Sequence, residues 1–275
     1  MSDRLGMRRV RFTWPADIDP VWTPKLPELA IAANAISLLM PHAEPFVVAS
    51  VRASLDDLST TTPDLAADAH TYAAQEAQHH GQHRRFNDIL LARYPHLVRQ
   101  DRAWRWVFGR LRRRSTLFGL AFAAGFEAIA FTSARWVDQH QALLRDADPT
   151  AATLFLWHLA EEVEHKEVAY DVYEAAGGGR LRYAWGLTVA AVVMAVAALA
   201  GSVTMLRAEK RLFSPIAHLR LASWSISFVC AALPVMVAST LPGHHPRDLA
   251  DPVGLEHWLD HLDPDTSTVP EWALP

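Results

Sequence analysis

Residues 157–170 read WHLAEEVEHKEVAY, two histidines and four glutamates in fourteen positions. Each residue of an α-helix turns about 100°, so His158, Glu162 and His165, spaced i, i+4 and i+7, fall within roughly 60° of one another. They form one stripe. Glu161, Glu164 and Glu167 point away from it to varying degrees, as ordinary surface charges do. A solvated acidic face accounts for those three glutamates and leaves the stripe unexplained.

The theme recurs upstream. In TYAAQEAQHHGQHRRF (71–86), Glu76 and His79 form a second Glu-x-x-His, with His80 and His83 close to the same face. Each pair is preceded by an isolated glutamate in an apolar stretch: Glu44 in SLLMPHAEPFVVASV (37–51) and Glu127 in GLAFAAGFEAIAFTSARW (119–136). A carboxylate in such surroundings is costly to bury unless it is paired or bound to metal. Glu44 and Glu76 lie at similar distances either side of the first turn, so an antiparallel hairpin sets both about 20 Å from it. Glu127 and Glu162 straddle DADPT (146–150) in the same way. The chain therefore reads as two copies of Glu, turn, Glu-x-x-His, and the longer interval from Glu76 to Glu127 leaves room for the crossover of a ferritin-like bundle.

Strand signals are few and helix formers dominate, so the expected fold is all-α: a four-helix bundle followed by an apolar helical pair. After a Pro/Trp-rich lead-in, helices are expected from Leu29 to about Leu58 with a break at Pro41 and Pro45, from Pro63 (Thr62 as N-cap) to about Arg93, from Trp104 to about Leu144, and from Thr150 to Ala176. Two units follow from this, 1–178 as the metal-binding bundle and 179–275 as the apolar pair with a polar tail. The pair, 183–206 and 221–243, carries no charged residue and is long enough to cross a bilayer. It either enters the membrane or walls a channel for a hydrophobic substrate. Basic residues at both ends of its first segment leave the orientation open.

Totals bound the rest. The net charge is −4, and the arginines read as scattered or at the ends of apolar segments, so nucleic acid is not an expected partner. Cys230 is the single cysteine, which excludes an internal disulfide and suits a reducing compartment. No apolar stretch of signal-peptide length follows the basic N-terminus, so the cytoplasm or the cytoplasmic side of the inner membrane is the expected location.

Charge supports two ions: four glutamates bring −4, which two divalent cations neutralise, and imidazole with carboxylate donors suits iron, manganese or zinc. SLLMPHAEPF, QEAQHHGQHRRFN, EEVEHKEVAYDVY and LPGHHPRD, spread over nearly the whole chain, resemble the bacterial family of predicted metal-dependent hydrolases. The ligand pattern also resembles ferritin-like di-iron oxygenases, and His158 one turn before Glu162 looks like the extra histidine of the p-aminobenzoate N-oxygenase group. That resemblance implies Glu44, Glu76, His79, Glu127, His158, Glu162 and His165 as ligands. The bland alternatives are a helix-start carboxylate for Glu44, a core histidine for His158, supporting or surface roles for His80 and His83, and aromatic packing for Tyr72 and Tyr170.

The reading that ranks first is O2-dependent oxidation of an apolar or amine-bearing small molecule by two iron ions, with an external electron donor. Hydrolysis by a metal-activated water ranks second, and a non-enzymatic metal-binding membrane protein third. Membrane association and a homodimer are both expectations to be set against the structure.

Overall fold

The computed structural model describes residues 5–263 except 7 and 16, with backbone alone at 256–258. The end of the polar tail therefore lies outside the described residues. Every regular element among them is helical.

Helix α1 (Pro27–Arg52) runs unbroken through Pro41 and Pro45, against the expected interruption. Proline withholds an N–H from the carbonyl four residues back and costs about 3 kcal/mol in a helix interior. Here the carbonyl freed by Pro41 is that of Ser37, and the Asn87 side-chain amide donates to it at 2.8 Å. A tertiary hydrogen bond replaces the local one. Glu44 is consequently a mid-helix residue, which removes its helix-start reading.

After the short α2 (Leu55–Thr61), α3 (Pro63–Arg93) opens on its proline as expected, although the Thr62 hydroxyl makes no capping bond. The single helix expected over 104–144 is instead α4 (Val98–Leu111) and α5 (Thr116–Gln139). Arg112, Arg113 and Arg114 sit between them, and the Ser115 hydroxyl accepts from the Phe118 N–H to start α5 afresh. The expected fourth helix is likewise divided into α6 (Pro149–His165), capped by Asp148, and α7 (Val168–Ala175). At that division Lys166 is buried, and its ammonium donates to the Leu249 carbonyl at 2.7 Å and to Asp251 at 2.6 Å. The apolar pair forms α8 (Arg180–Ala208) and α9 (Pro215–Ser239), and α10 (Val253–Asp260) follows.

Close contacts fix the directions. Gly119 at the start of α5 meets Ser50 near the end of α1, so these helices are antiparallel. Ser37 and Asn87 place α3 antiparallel to α1 as well. α3 and α5 therefore point the same way, and the chain must return along the bundle between them, which α4 does. Helix α8 lies beside α5 and α1. Gly186 abuts Ala121, Gly125 abuts Leu187, and Gly201 abuts Ala35, each glycine letting two helices approach to a distance that a Cβ would prevent. Helix α9 returns antiparallel to α8, with the Tyr183 hydroxyl donating to Ser239 and the Trp136 indole donating to Ser227.

Helices α1, α5, α8 and α9 are each long and apolar enough to cross a membrane, by length and composition. Those of α1 and α5 are mostly buried within the protein. Only 6 % of the apolar window of α9 is buried.

Candidate metal centre

Four helices deliver the donors. Helix α1 supplies Glu44, α3 supplies Glu76 and His79, α5 supplies Glu127, and α6 supplies His158, Glu162 and His165. All seven are buried. Glu76, His79, Glu162 and His165 offer ligand atoms that lie within 4.8 Å of one another, and Glu44, His83 and His158 form a second such group. The two groups touch: His158 Nε2 is 2.6 Å from Glu162 Oε1 and 3.7 Å from Glu44 Oε1. Glu76 and Glu162 are central, since His165 Nδ1 stands 2.9 Å from Glu76 and 3.5 Å from Glu162, and His79 Nδ1 stands 3.7 and 3.6 Å from the same two. Glu127 closes the cluster beside Glu162.

Each histidine turns one nitrogen to the carboxylates and commits the other elsewhere. His79 Nε2–H donates to Glu161 Oε2 at 2.9 Å. His165 Nε2 lies 3.0 Å from Gln75 Oε1, whose amide group donates to the Gly6 carbonyl and to Glu164, so the histidine must be the donor. The third case is fixed by a longer chain. Asn87 gives its amide hydrogen to the Ser37 carbonyl, so its Oδ1 accepts, and the Ser37 hydroxyl donates to it at 2.8 Å. That leaves Ser37 Oγ to accept from His83 Nδ1–H at 2.8 Å, and His83 Nε2 to accept from His158 Nδ1–H at 2.7 Å. The bare lone pair of His158 Nε2 then faces Glu162, and two acceptors at 2.6 Å need a cation or a proton between them.

Eight buried atoms of the cluster have no hydrogen-bond partner: both oxygens of Glu44 and of Glu76, one oxygen each of Glu127 and Glu162, and Nδ1 of His79 and His165. Buried polar atoms are ordinarily satisfied, and eight around one point are donors that a bound cation would satisfy. The donors are carboxylate and imidazole, without thiolate. They fit a divalent metal. The family of predicted metal-dependent hydrolases matches residues 6–250.

The chain belongs to that family. No curated protein and no solved structure matches the chain.

In this member of the family the charges of the clustered residues oppose one another. Burial, then the Glu76 charge, pushes Glu44 well above the usual carboxylate range, and burial with Glu162 and Glu76 does the same to Glu127. Burial raises Glu162 too, but the adjacent imidazoles of His158 and His165 outweigh it and hold Glu162 well below that range. Glu76 is lowered in the same way by His165 and His79. Burial works against the charged imidazoles, yet Glu161 and Glu76 hold His79 well above its ordinary value, and Glu162 and Glu76 hold His165 at about 9. His158 is lowered by burial and the nearby His79 charge.

Several supporting residues escaped the sequence reading. Glu161, expected on the surface, is buried against His79 and is held from outside by Arg8 at 3.4 Å. Glu164 pairs with the same guanidinium at 2.8 Å. Tyr72 donates to Glu127 at 2.6 Å, whereas Tyr170 bonds Glu174 away from the cluster. Tyr72 sits one turn before Glu76 on the same stripe, so the logic that found Glu76 and His79 reaches it. His83 supports His158, while His80 is half-buried and bonds only the Glu76 carbonyl. The described part of the lead-in rests on α3, where Gln75 and Gln82 donate to the carbonyls of Gly6 and Val10, and Gln78 to that of Arg8. A third acidic group, Asp171 with Glu174 and His245, lies at the surface with Arg247 and Arg180 beside it, and these arginines already balance its charge.

Proposed function

We propose that the protein is a hydrolase working through two divalent ions held by Glu44, Glu76, His79, Glu127, His158, Glu162 and His165. The observation that carries this reading is the convergence of eight unpartnered buried donor atoms, taken with the family assignment. When bound, such ions supply Lewis acidity toward a carbonyl or phosphoryl oxygen and lower the pKa of water to about 7. The chain's own part is orientation. Glu161, Gln75 and His83 fix the three imidazoles, and such partners are worth about 10–100-fold in affinity or activity. Tyr72 holds one oxygen of Glu127, leaving the other free toward Glu162. That free oxygen is the one Glu127 would offer a metal. Among the seven donors His158 keeps some exposure, 11 % of its side chain, which makes its side the approach for water and substrate.

A second reading, O2-dependent oxidation at two irons, is favoured by one feature: a glutamate from each of two helices and a Glu-x-x-His from each of the other two, the donor set of ferritin-like di-iron and di-manganese carboxylate proteins. Metal analysis of the purified chain, followed by ester, amide and phosphoester screens with zinc, manganese or iron under air and under argon, separates the two. Turnover that persists without O2 supports hydrolysis. Turnover that needs iron, O2 and a reductant refutes it.

A further inference from the structure

The outer faces of α8 and α9 remain uncovered. Trp185, Val192, Leu199 and Val203 are exposed along one stripe of α8. Its exposed apolar run from Leu181 to Val203 is about 33 Å long at 1.5 Å per residue. On α9, Ile216, Ile226, Leu233 and Val237 are exposed. Its buried residues, Ala217, Ala232 and Ser239, fall on one narrow edge. The exposed positions cover about 200° of the circumference. A helix lying in a bilayer surface sinks about that much of its circumference among lipid chains.

Helix α4 adds charge along the margin of this face. It runs beside α8: Gln100 donates to the Ala200 carbonyl and to Thr204, while at the other end Leu111 and Arg114 share a surface cleft with Trp185 and Val189. Residues 99–114 hold seven arginines, all exposed. Among the described residues only Arg105 of these is in an ion pair, with Asp101. The arginines that read as scattered are thus gathered into a strip that borders an apolar floor. Trp106, exposed and stacked under Arg110, completes that border.

We propose that this face lies flat on an anionic lipid bilayer, with α8 and α9 in the plane of the interface and the α4 arginines on phosphate headgroups. An upright, membrane-spanning arrangement is disfavoured by the opposite side of the molecule. Helix α3 is aligned with α1, α5 and α8, and its exposed Asp64, Arg84, Arg85, Asp88 and Arg93 would stand at the same level in hydrocarbon. Neither an apolar face nor a basic strip alone anchors a protein firmly, and the two together do.

The test uses the full chain purified in detergent and mixed with vesicles of phosphatidylcholine, with or without phosphatidylglycerol. Flotation with the anionic vesicles is expected. The triple variant Arg112→Glu, Arg113→Glu, Arg114→Glu should weaken partitioning on the order of 100-fold or more. Its bound metal and circular dichroism should be unchanged. Depth decides the orientation. Cys230 is exposed on α9 and is the single cysteine, so it takes a fluorophore directly. Ile216→Cys and Val237→Cys, each made with Cys230→Ser, provide two further positions along the helix. Similar quenching of all three by a lipid-chain quencher is the expected result. Deep quenching at Cys230 with water-accessible ends would show a spanning helix and overturn the proposal. So would a soluble dimer that ignores vesicles, or binding to nucleic acid in preference to lipid.

Discussion

Loading the metal-free protein with a divalent ion should expel protons, and the structure gives their number. Four glutamates converge. Two, Glu44 and Glu127, are held protonated by burial and neighbouring charge, while Glu76 and Glu162 are ionised against charged His79 and His165. Four positive equivalents thus stand where two divalent ions would, a further proton sits between His158 Nε2 and Glu162 Oε1, and since ligands bind metal deprotonated, saturation near neutral pH should release about four to five protons. The histidine share is secure at pH 7 because His165 titrates at about 9 and His79 is also raised. The assay is calorimetric titration of chelator-stripped protein with zinc or manganese in buffers of different ionisation enthalpy, where the slope of apparent enthalpy against buffer enthalpy counts protons. Replacing His165 by glutamine should lower the count by about one. By linkage, the overall constant for two ions should rise by about four to five decades per pH unit below these pKa values. Release of fewer than about two protons at full occupancy would mean that the carboxylates are already ionised in the empty site, and the charge argument would fail.

Other consequences are directly measurable. His165 is raised to about 9, so the pairing stabilises the metal-free fold below the unfolded value near 6.5 and is lost as pH rises through 9. Urea unfolding in chelator should therefore weaken by about 3 kcal/mol between pH 6 and 10, and a flat profile would contradict the pairing. Glu161→Gln should lower metal affinity about 10–100-fold with the fold intact, whereas an ordinary surface glutamate would show no change. Gly186→Val should destabilise by about 2 kcal/mol or more, because its side chain would enter the backbone of Ala121; Gly81→Ala, with open space around it, should stabilise α3 by about 1 kcal/mol. Thermal melts of both variants test whether α8 is packed as described. Asn87→Ala should cost about 1–3 kcal/mol, read by urea unfolding, since it strands the Ser37 carbonyl inside the protein.

The donors were legible because helical spacing is local information. A stripe at i, i+4 and i+7 carries its own geometry, and the two halves of the chain repeat it, so His158, Glu162 and His165 could be set against Glu76 and His79 without coordinates. The residues that hold those donors were not legible, for they are paired across long separations in the chain. Nothing in EEVEH distinguishes Glu161 from Glu164 until α3 brings His79 against one of them and the lead-in brings Arg8 against both. The division of α6 from α7 was missed for the same reason: Lys166 leaves the α6 surface for partners at Leu249 and Asp251, more than eighty residues away. The α4 arginines looked scattered because a list of positions does not show that the helix carrying them lies along α8.

Pro41 joins the legible and illegible parts. Read locally, a proline three residues before a candidate ligand is a helix break, and a break there would displace Glu44 from the level of Glu76. In the folded chain the carbonyl that Pro41 leaves free is the acceptor that fixes the Asn87 amide, and that orientation runs through Ser37 and His83 to the lone pair of His158. An ordinary residue at position 41 would satisfy the Ser37 carbonyl within α1 and weaken the demand on Asn87. The proline thus serves the centre by being deficient. Its cost to α1 is offset by a hydrogen bond that also orients a candidate metal donor, so the feature that argued most strongly against Glu44 belongs to the network that supports the candidate site.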